Sequence, residues 1–137
     1  MSQVQVATDI TAALQQVIAA HTEYPLVIEQ QNKTVVDQAT QDDPYLRIEI
    51  RHLAADQMDL SPRPRVEKWG QIHLIAVCKP GAGTARVKAL LDFATPYFEL
   101  KRVGIVQCQA VHGTTGKLIN GLWCEPAIVN FYYHETI

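Results

Sequence analysis

A glycine-rich turn before a helix-like segment is the feature of this sequence that comes closest to a chemical motif. The run Lys79-Pro80-Gly81-Ala82-Gly83-Thr84 has that position, and the N–H groups at such a helix start can bind a phosphate. The run lacks the Gly-Lys-Ser/Thr ending of a P-loop and the third glycine of a dinucleotide fingerprint. We therefore predict a structural turn that ends in a threonine helix cap. Its residues are Pro80, Gly81, Gly83 and Thr84.

The histidines do not form a recognisable metal or catalytic motif. No two have the helical spacing of a zinc protease pair, and none stands at finger spacing from a cysteine. The sequence has no Gly-x-Ser-x-Gly elbow that would hold a serine nucleophile. His73 lies in a predicted strand, and His112 and His134 directly follow two others, so the three histidines would converge only if those strands were neighbours. The sequence thus predicts no catalytic, metal-binding or cofactor-binding residue.

Composition is typical of one globular domain spanning residues 1–137. The chain is 47% hydrophobic and has a formal net charge of −2, which argues against nucleic acid as the main partner because phosphate binding needs a concentrated positive surface. Cys78, Cys108 and Cys124 lie in apolar runs, which favours reduced, buried thiols over disulfides. The polar first residues and the lack of a long apolar stretch predict neither a signal peptide nor a membrane span, so we expect a cytoplasmic protein.

Apolar periodicity predicts the element order α, β, β, β, α, β, β. The two helices and five strands have the approximate bounds Thr8–His21, Leu26–Glu29, Tyr45–Arg51, Val66–Cys78, Thr84–Thr95, Val103–Val111 and Leu122–Tyr133. The apolar stripe of the second helix, which includes Leu90 and Leu91, is expected to pack on the sheet. Because consecutive strands lack crossover helices, we predict an α+β fold with a mainly antiparallel sheet of about five strands and two helices packed on one face.

The stretch around the third strand resembles a known family. The run Arg65–Thr84 is a strand entered through Gly70 and ended by a Pro-Gly-Ala-Gly-Thr turn, and a helix on the pattern of Val87–Ala94 follows directly. Upstream, Asp43–Ile48 resembles the start of the same family's second strand, and Tyr24–Val27 resembles the segment after its first helix. In these features the sequence resembles the tail terminator-like, or tail completion, proteins of long-tailed phages and prophages.

The resemblance, which is specific over about Pro44–Phe98, implies an assembly role rather than an enzyme. Proteins of this family form a ring, expected to be hexameric, on the finished tail tube, where it stops polymerisation and offers a surface for the head connector. The implied partners are further copies of the chain, the tail tube protein and the head–tail connector protein, with no membrane and no specific nucleic acid binding. The resemblance implies no cofactor, and a location in the virion tail after assembly in the host cytoplasm.

Two polar stretches, Gln30–Asp43 and Ala54–Arg65, are predicted to be long loops. The second, between the second and third predicted strands, supplies the candidate interface. It begins acidic, with Asp56 and Asp59, and ends basic, with Arg63 and Arg65. In a head-to-tail ring the acidic end of one subunit would meet the basic end of the next, and Lys68 follows in the third strand. The alternative is a solvated loop, because most exposed ion pairs contribute little to stability.

A second hypothesis comes from a different class of protein. It is a small-molecule-binding or hydrolytic α+β domain that uses the Gly81–Thr84 turn together with His73 and His112. A histidine with a perturbed pKa in a closed pocket would favour this hypothesis. A hexamer with an open central channel would favour the tail terminator.

Overall fold

Two helices and one curled sheet make up the computed structural model, which describes residues 2–30, 41–57, 62, 65–81, 84–113 and 115–136. The helices are α1, Ser2–Ala20, and α2, Ala85–Ala94, and a 3-10 turn at Thr95–Tyr97 follows α2. None of the described helices is long and apolar enough to cross a membrane.

The sheet has seven strands rather than the five predicted. They are β1, Ile28–Glu29; β2, Tyr45–Gln57; β3, Arg65–Cys78; β4, Arg102–Val103; β5, Val106–Gly113; β6, Lys117–Ile119; and β7, Leu122–Thr136. Their order is β1-β2-β3-β7-β5-β4, and β6 pairs with β7. Only the β1–β2 pair is parallel among the described pairs. The predicted α+β class with a mainly antiparallel sheet is therefore confirmed.

The additional strands, β4 and β6, are short and lie beside tight turns. Asn120 and Gly121 separate β6 from β7 and have φ angles of 52° and 79°. A two-residue Asn-Gly connection with both φ angles positive is the turn that suits the twist of a hairpin. No strand was predicted at Lys117–Ile119, and β5 continues two residues beyond Val111, the predicted end of its strand, to Gly113.

Helix α1 begins six residues earlier than Thr8, its predicted first residue, so Thr8 and Asp9 lie within the helix. The Thr8 hydroxyl donates to the carbonyl of Val4 at 2.9 Å, one turn back along the helix. The Asp9 carboxylate instead accepts hydrogen bonds from Gln5 Nε2 at 2.7 Å and from the backbone N–H of Ile105 at 3.0 Å. Asp9 thus connects the helix to the turn before β5.

Strand β2 continues beyond Arg51, where the sequence predicted a loop from Ala54 to Arg65. Ala54 to Gln57 pair with Trp69 to Val66 of β3, after a bulge between His52 and Ala54. The prediction was wrong at both ends of the loop because the hydrogen-bonded ladder with β3 overrides the weak strand propensity of alanine and aspartate. The other long predicted loop, Gln30–Asp43, lies largely outside the described residues.

Both helices pack on the same face of the sheet and bury the core there. The cluster under α1 includes Val6, Ile10, Leu14, Ile48, Ile72, Leu74, Val129 and Phe131. The cluster under α2 includes Val17, Leu46, Ala76, Cys78, Val87, Leu90 and Ala94. Leu91, which the sequence placed in the core with Leu90, is only partly buried and packs at the margin of both clusters.

Replacement of Leu90 by alanine tests this packing. The side chain is 3% exposed, so Leu90→Ala is expected to lower the free energy of unfolding by about 2–5 kcal/mol, through lost burial and a residual cavity. Leu91→Ala is the matched control and should cost less because Leu91 is partly exposed already. Urea melts of both variants give the comparison, and an equal or larger loss for Leu91→Ala would contradict the packing described.

Candidate functional site

The face of the sheet opposite the helices, which we call the outer face, carries a mixed row of polar and aromatic side chains. Residues directly opposite each other in an antiparallel pair project from the same face. The central pairs on this face are Trp69 with Tyr132, Gln71 with Asn130, His73 with Ile128, Ile75 with Pro126 and Val77 with Cys124. The rings of the first pair lie 5.1 Å apart between centroids. Tyr45, Val77 and Cys124 form a small buried cluster at one end of the face.

A chain of hydrogen bonds crosses the middle of the outer face. His73 is 8% exposed, and its Nε2 donates to Oε1 of Gln71 at 3.0 Å. Gln71 Nε2 in turn donates to Oδ1 of Asn130 on β7 at 3.0 Å. Burial lowers the pKa of His73, and the guanidinium of Arg51 lowers it further. The arrangement therefore favours a neutral His73 that orients Gln71, whose amide joins β3 to β7.

The histidines that the sequence considered together do not form a metal site. His73 and His112 both pair with Ile128, one from each side of β7, so they share the outer face but are separated by a strand. His134 lies further along β7, and its Nε2 donates a hydrogen bond to Oε2 of Glu67 at 3.0 Å. Within the described part of the chain, no group of three or more His, Cys, Asp or Glu residues could hold a metal ion.

The three cysteines are free and buried. Burial raises the pKa of the Cys108 thiol to about 11. Burial also raises the pKa values of Cys78 and Cys124. Since the thiolate is the reactive form of cysteine, these thiols have the properties of inert core side chains rather than nucleophiles.

The predicted turn lies between β3 and α2. Gly81 has a φ of 85°, a left-handed conformation that favours glycine. Thr84 occupies the N-cap position, but its side chain makes no capping hydrogen bond to any described residue. Its carbonyl accepts the hydrogen bond of the Lys88 N–H at 3.0 Å. Pro80 is exposed beside Gly81, and Gly83 lies outside the described residues.

The turn forms one wall of an apolar cleft of about 400 Å³, which we call the Trp123 cleft. Its lining residues are Lys79, Pro80, Gly81, Thr84, Leu118 and Trp123. Trp123 pairs with Cys78, whose side chain lies on the helix-covered face, whereas His73 and His112 project from the outer face. The turn and the two histidines of the second hypothesis therefore do not share one site in the described structure.

The charged residues of the predicted interface have different surroundings. Asp56 lies near the end of β2, directly opposite Glu67, and Arg65 begins β3. Lys68 forms an ion pair with Glu135 of the same subunit, and that hydrogen bond raises the pKa of Lys68. Asp59 and Arg63 lie outside the described residues.

Exposed apolar side chains are the surface feature that sequence reasoning missed. The large ones are Val4, Leu53, Leu100, Leu118 and Ile119. Leu53 is 59% exposed and lies at the bulge in β2, and Leu118 is 60% exposed on β6. A bulge changes the direction of a side chain, and the sequence pattern carried no sign of it. The Asn120-Gly121 pair is the one local signal that could have revealed β6.

Comparisons with known proteins describe the fold without describing a function. No family model matches the chain, and no curated protein matches it. The chain is similar to a solved structure that bears no functional name, with a TM-score of 0.72 and 17% sequence identity over 98% of this chain and 96% of that one. At this identity the likeness supports the α+β fold alone.

The buried His73 makes stability depend on pH. An unfolded histidine titrates near pH 6.5, and burial lowers the pKa of His73 in the folded state. The neutral His73 therefore contributes fully to the free energy of unfolding above about pH 6.5. This contribution is lost as the pH falls through the pKa of His73 in the folded state. We expect His73→Gln to reduce the loss of stability between about pH 7.5 and pH 5, measured by urea unfolding. Identical pH dependence in wild type and variant would contradict this role.

Proposed function

We propose that the chain is a structural subunit that forms a ring on the end of a phage tail tube, stops polymerisation of the tube and joins the tail to the head. The resemblance over about Pro44–Phe98 is the first support. This stretch contains β2, β3, the turn at Gly81 and α2. The part of the sequence that resembles tail terminators therefore includes the central strand of the sheet and one of the helices that cover it.

The observation that carries the proposal is the amount of apolar surface outside the helix-covered core. Trp69, Ile75 and Tyr132 are only partly buried on the outer face, and the exposed leucines at positions 53 and 118 lie on short or peripheral parts of the sheet. Contiguous exposed apolar surface marks contacts with other proteins, and the adjacent rings of Trp69 and Tyr132 form such a stretch on the outer face. A ring subunit needs such surfaces for its two neighbours, for the tube below and for the connector above.

The proposed role depends on shape and contact rather than on a reacting group. A capping ring must bind the tube end on one side and present a different surface on the other, so that no further tube subunit adds. Protonated, buried cysteines and a hydrogen-bonded His73 are side chains that support folding in such a protein. The ring is expected to be hexameric, with each interface joining different surfaces of two neighbours.

A small-molecule-binding role is the second candidate, and the Trp123 cleft is the observation that favours it. The cleft is apolar and large enough for a small ligand. The position of His73 and His112 argues against this candidate, because both side chains project from the other face of the sheet and do not reach the cleft. In the ring proposal the same cleft is available to a protein side chain.

Native mass spectrometry and electron microscopy test the ring. We expect purified protein to self-associate as its concentration rises from micromolar to millimolar, or to form rings once tail tube protein is added. Tubes assembled with the protein should end in a ring and stop growing, whereas tube protein alone continues to elongate as the control. A strict monomer that also leaves tube ends bare would contradict the proposal.

A further inference from the structure

The far half of β2 presents an apolar strand edge to solvent. Every residue from Arg51 to Gln57 is exposed, and Leu53 lies at the bulge between His52 and Ala54. We call the stretch His52–Ala55 the Leu53 edge. A bulge that directs a leucine into water at 59% exposure is unfavourable for an isolated subunit.

The backbone on the outer side of this edge has no described strand beside it. Strand β1 pairs only with Leu46 and Arg47 of β2, and no other described strand pairs with the outer side of the Leu53 edge. An edge without lysine or proline is the type that accepts a strand from another chain. Val4, 62% exposed, lies with His52 along a shallow cleft beside the edge, which extends the apolar surface onto α1.

The second apolar surface lies at the Trp123 cleft. All three residues of β6, Lys117–Ile119, are exposed. Leu118 forms part of the cleft wall and is 60% exposed, and Ile119 is 39% exposed. Among the described strands β6 pairs only with β7, so no described strand occupies its other edge. The cleft thus combines an apolar pocket with a short open strand edge.

The two surfaces lie at diagonally opposite corners of the sheet. The Leu53 edge is on the β2 side, near Trp69, whereas β6 is on the far side of β7, near Cys78. From Trp69 to Cys78 strand β3 runs about 30 Å, at about 3.3 Å per residue. The surfaces are therefore too far apart to cover each other within one subunit. A two-fold pairing through either surface would leave the other exposed, whereas head-to-tail contact covers both and generates a ring when it closes.

We propose that in the ring the Leu53 edge of each copy packs into the Trp123 cleft of the next copy, beside the open edge of β6. This inference rests on the proposed function and specifies its interface. The charges next to the two surfaces are complementary. Asp56 follows the Leu53 edge and Lys117 precedes Leu118 on β6, so these two opposite charges come together across the contact, whereas Lys79 is already paired with Asp42 of its own subunit at 2.7 Å.

Aspartate substitutions test each surface separately. Leu53→Asp and Leu118→Asp are each expected to weaken self-association at least about tenfold, since a charge must then be buried in an apolar contact. Both side chains are mostly exposed, so thermal melts should stay close to those of the wild type. Leu100→Asp is the control: Leu100 is 70% exposed, lies outside both surfaces and has a φ of 56°, which aspartate tolerates. It should assemble like the wild type.

Mixing the two variants distinguishes head-to-tail contact from any other. Leu118→Asp protein keeps an intact Leu53 edge, and Leu53→Asp protein keeps an intact Trp123 cleft. In an equimolar mixture the edge of the first variant can therefore bind the cleft of the second, and no further copy can add. Native mass spectrometry should show mixed dimers with one copy of each variant and no larger ring. If Leu53→Asp prevents assembly, Leu118→Asp protein still self-associates, and the mixture gives no mixed dimers, the edge pairs with itself and the head-to-tail interface is wrong.

The remaining outcomes separate this inference from the ring itself. If wild type, Leu53→Asp and Leu118→Asp all form rings equally well, alone or on tube ends, the interface lies elsewhere and the proposed function stands. If the wild type forms no ring alone or on tube ends, the proposed function fails and the interface fails with it. If both aspartate variants unfold at lower temperature than Leu100→Asp, the two leucines support the subunit's own fold and the inference is overturned.

Discussion

Pairing of β3 with both of its neighbours is the interaction on which the rest of the structure depends. Arg65–Cys78 is paired with β2 on one side and with β7 on the other along nearly its whole length. Gly70 lies where this ladder is tightest: a side-chain carbon there would come within 2.6 Å of the Arg51 carbonyl and collide with the Phe131 ring. The glycine lets Phe131 pack across β3, so the helix-covered core is continuous from β2 to β7.

The helices are held on this sheet by more than apolar contact. Asp9 of α1 accepts the Ile105 N–H at 3.0 Å, across the turn that joins β4 to β5. Gly104 in that turn has a φ of 59°, and a side chain there would collide with the Asp9 carboxylate. On the other side of the sheet, His73, Gln71 and Asn130 connect β3 to β7. Polar side chains thus attach α1 to the turn between β4 and β5 and connect the strands on the outer face, while the apolar core joins the helices to the middle of the sheet.

The parts of the fold that follow from regular periodicity could be predicted from the sequence, and the irregular parts could not. The alternation of Leu46, Ile48 and Ile50 identified a strand with one buried face, and all three side chains contact the core. The start of α1 was missed because the sequence of Gln3, Val4 and Gln5 favours neither helix nor loop. This turn of the helix is fixed by Val6, which packs in the core. The end of β2 was missed because its pairing with β3 is a tertiary effect. The turn at Gly81 was visible by composition, but the cleft beside it depends on β6, which lies far away in sequence.

The disagreement at Leu53 is informative because local rules and the observed surface conflict there. Regular strand alternation would direct the Leu53 side chain, between His52 and Ala54, toward one face of the sheet. The bulge at this position instead leaves the side chain exposed to solvent. In a protein whose sequence otherwise suits its fold, residues that disagree with local structural preferences occur mostly at functional sites. Charged residues at the same positions would have kept an isolated subunit soluble and blocked the strand edge. The edge carries Leu-Ala-Ala instead, as the proposed contact between copies requires of a surface that one subunit exposes and the next one covers.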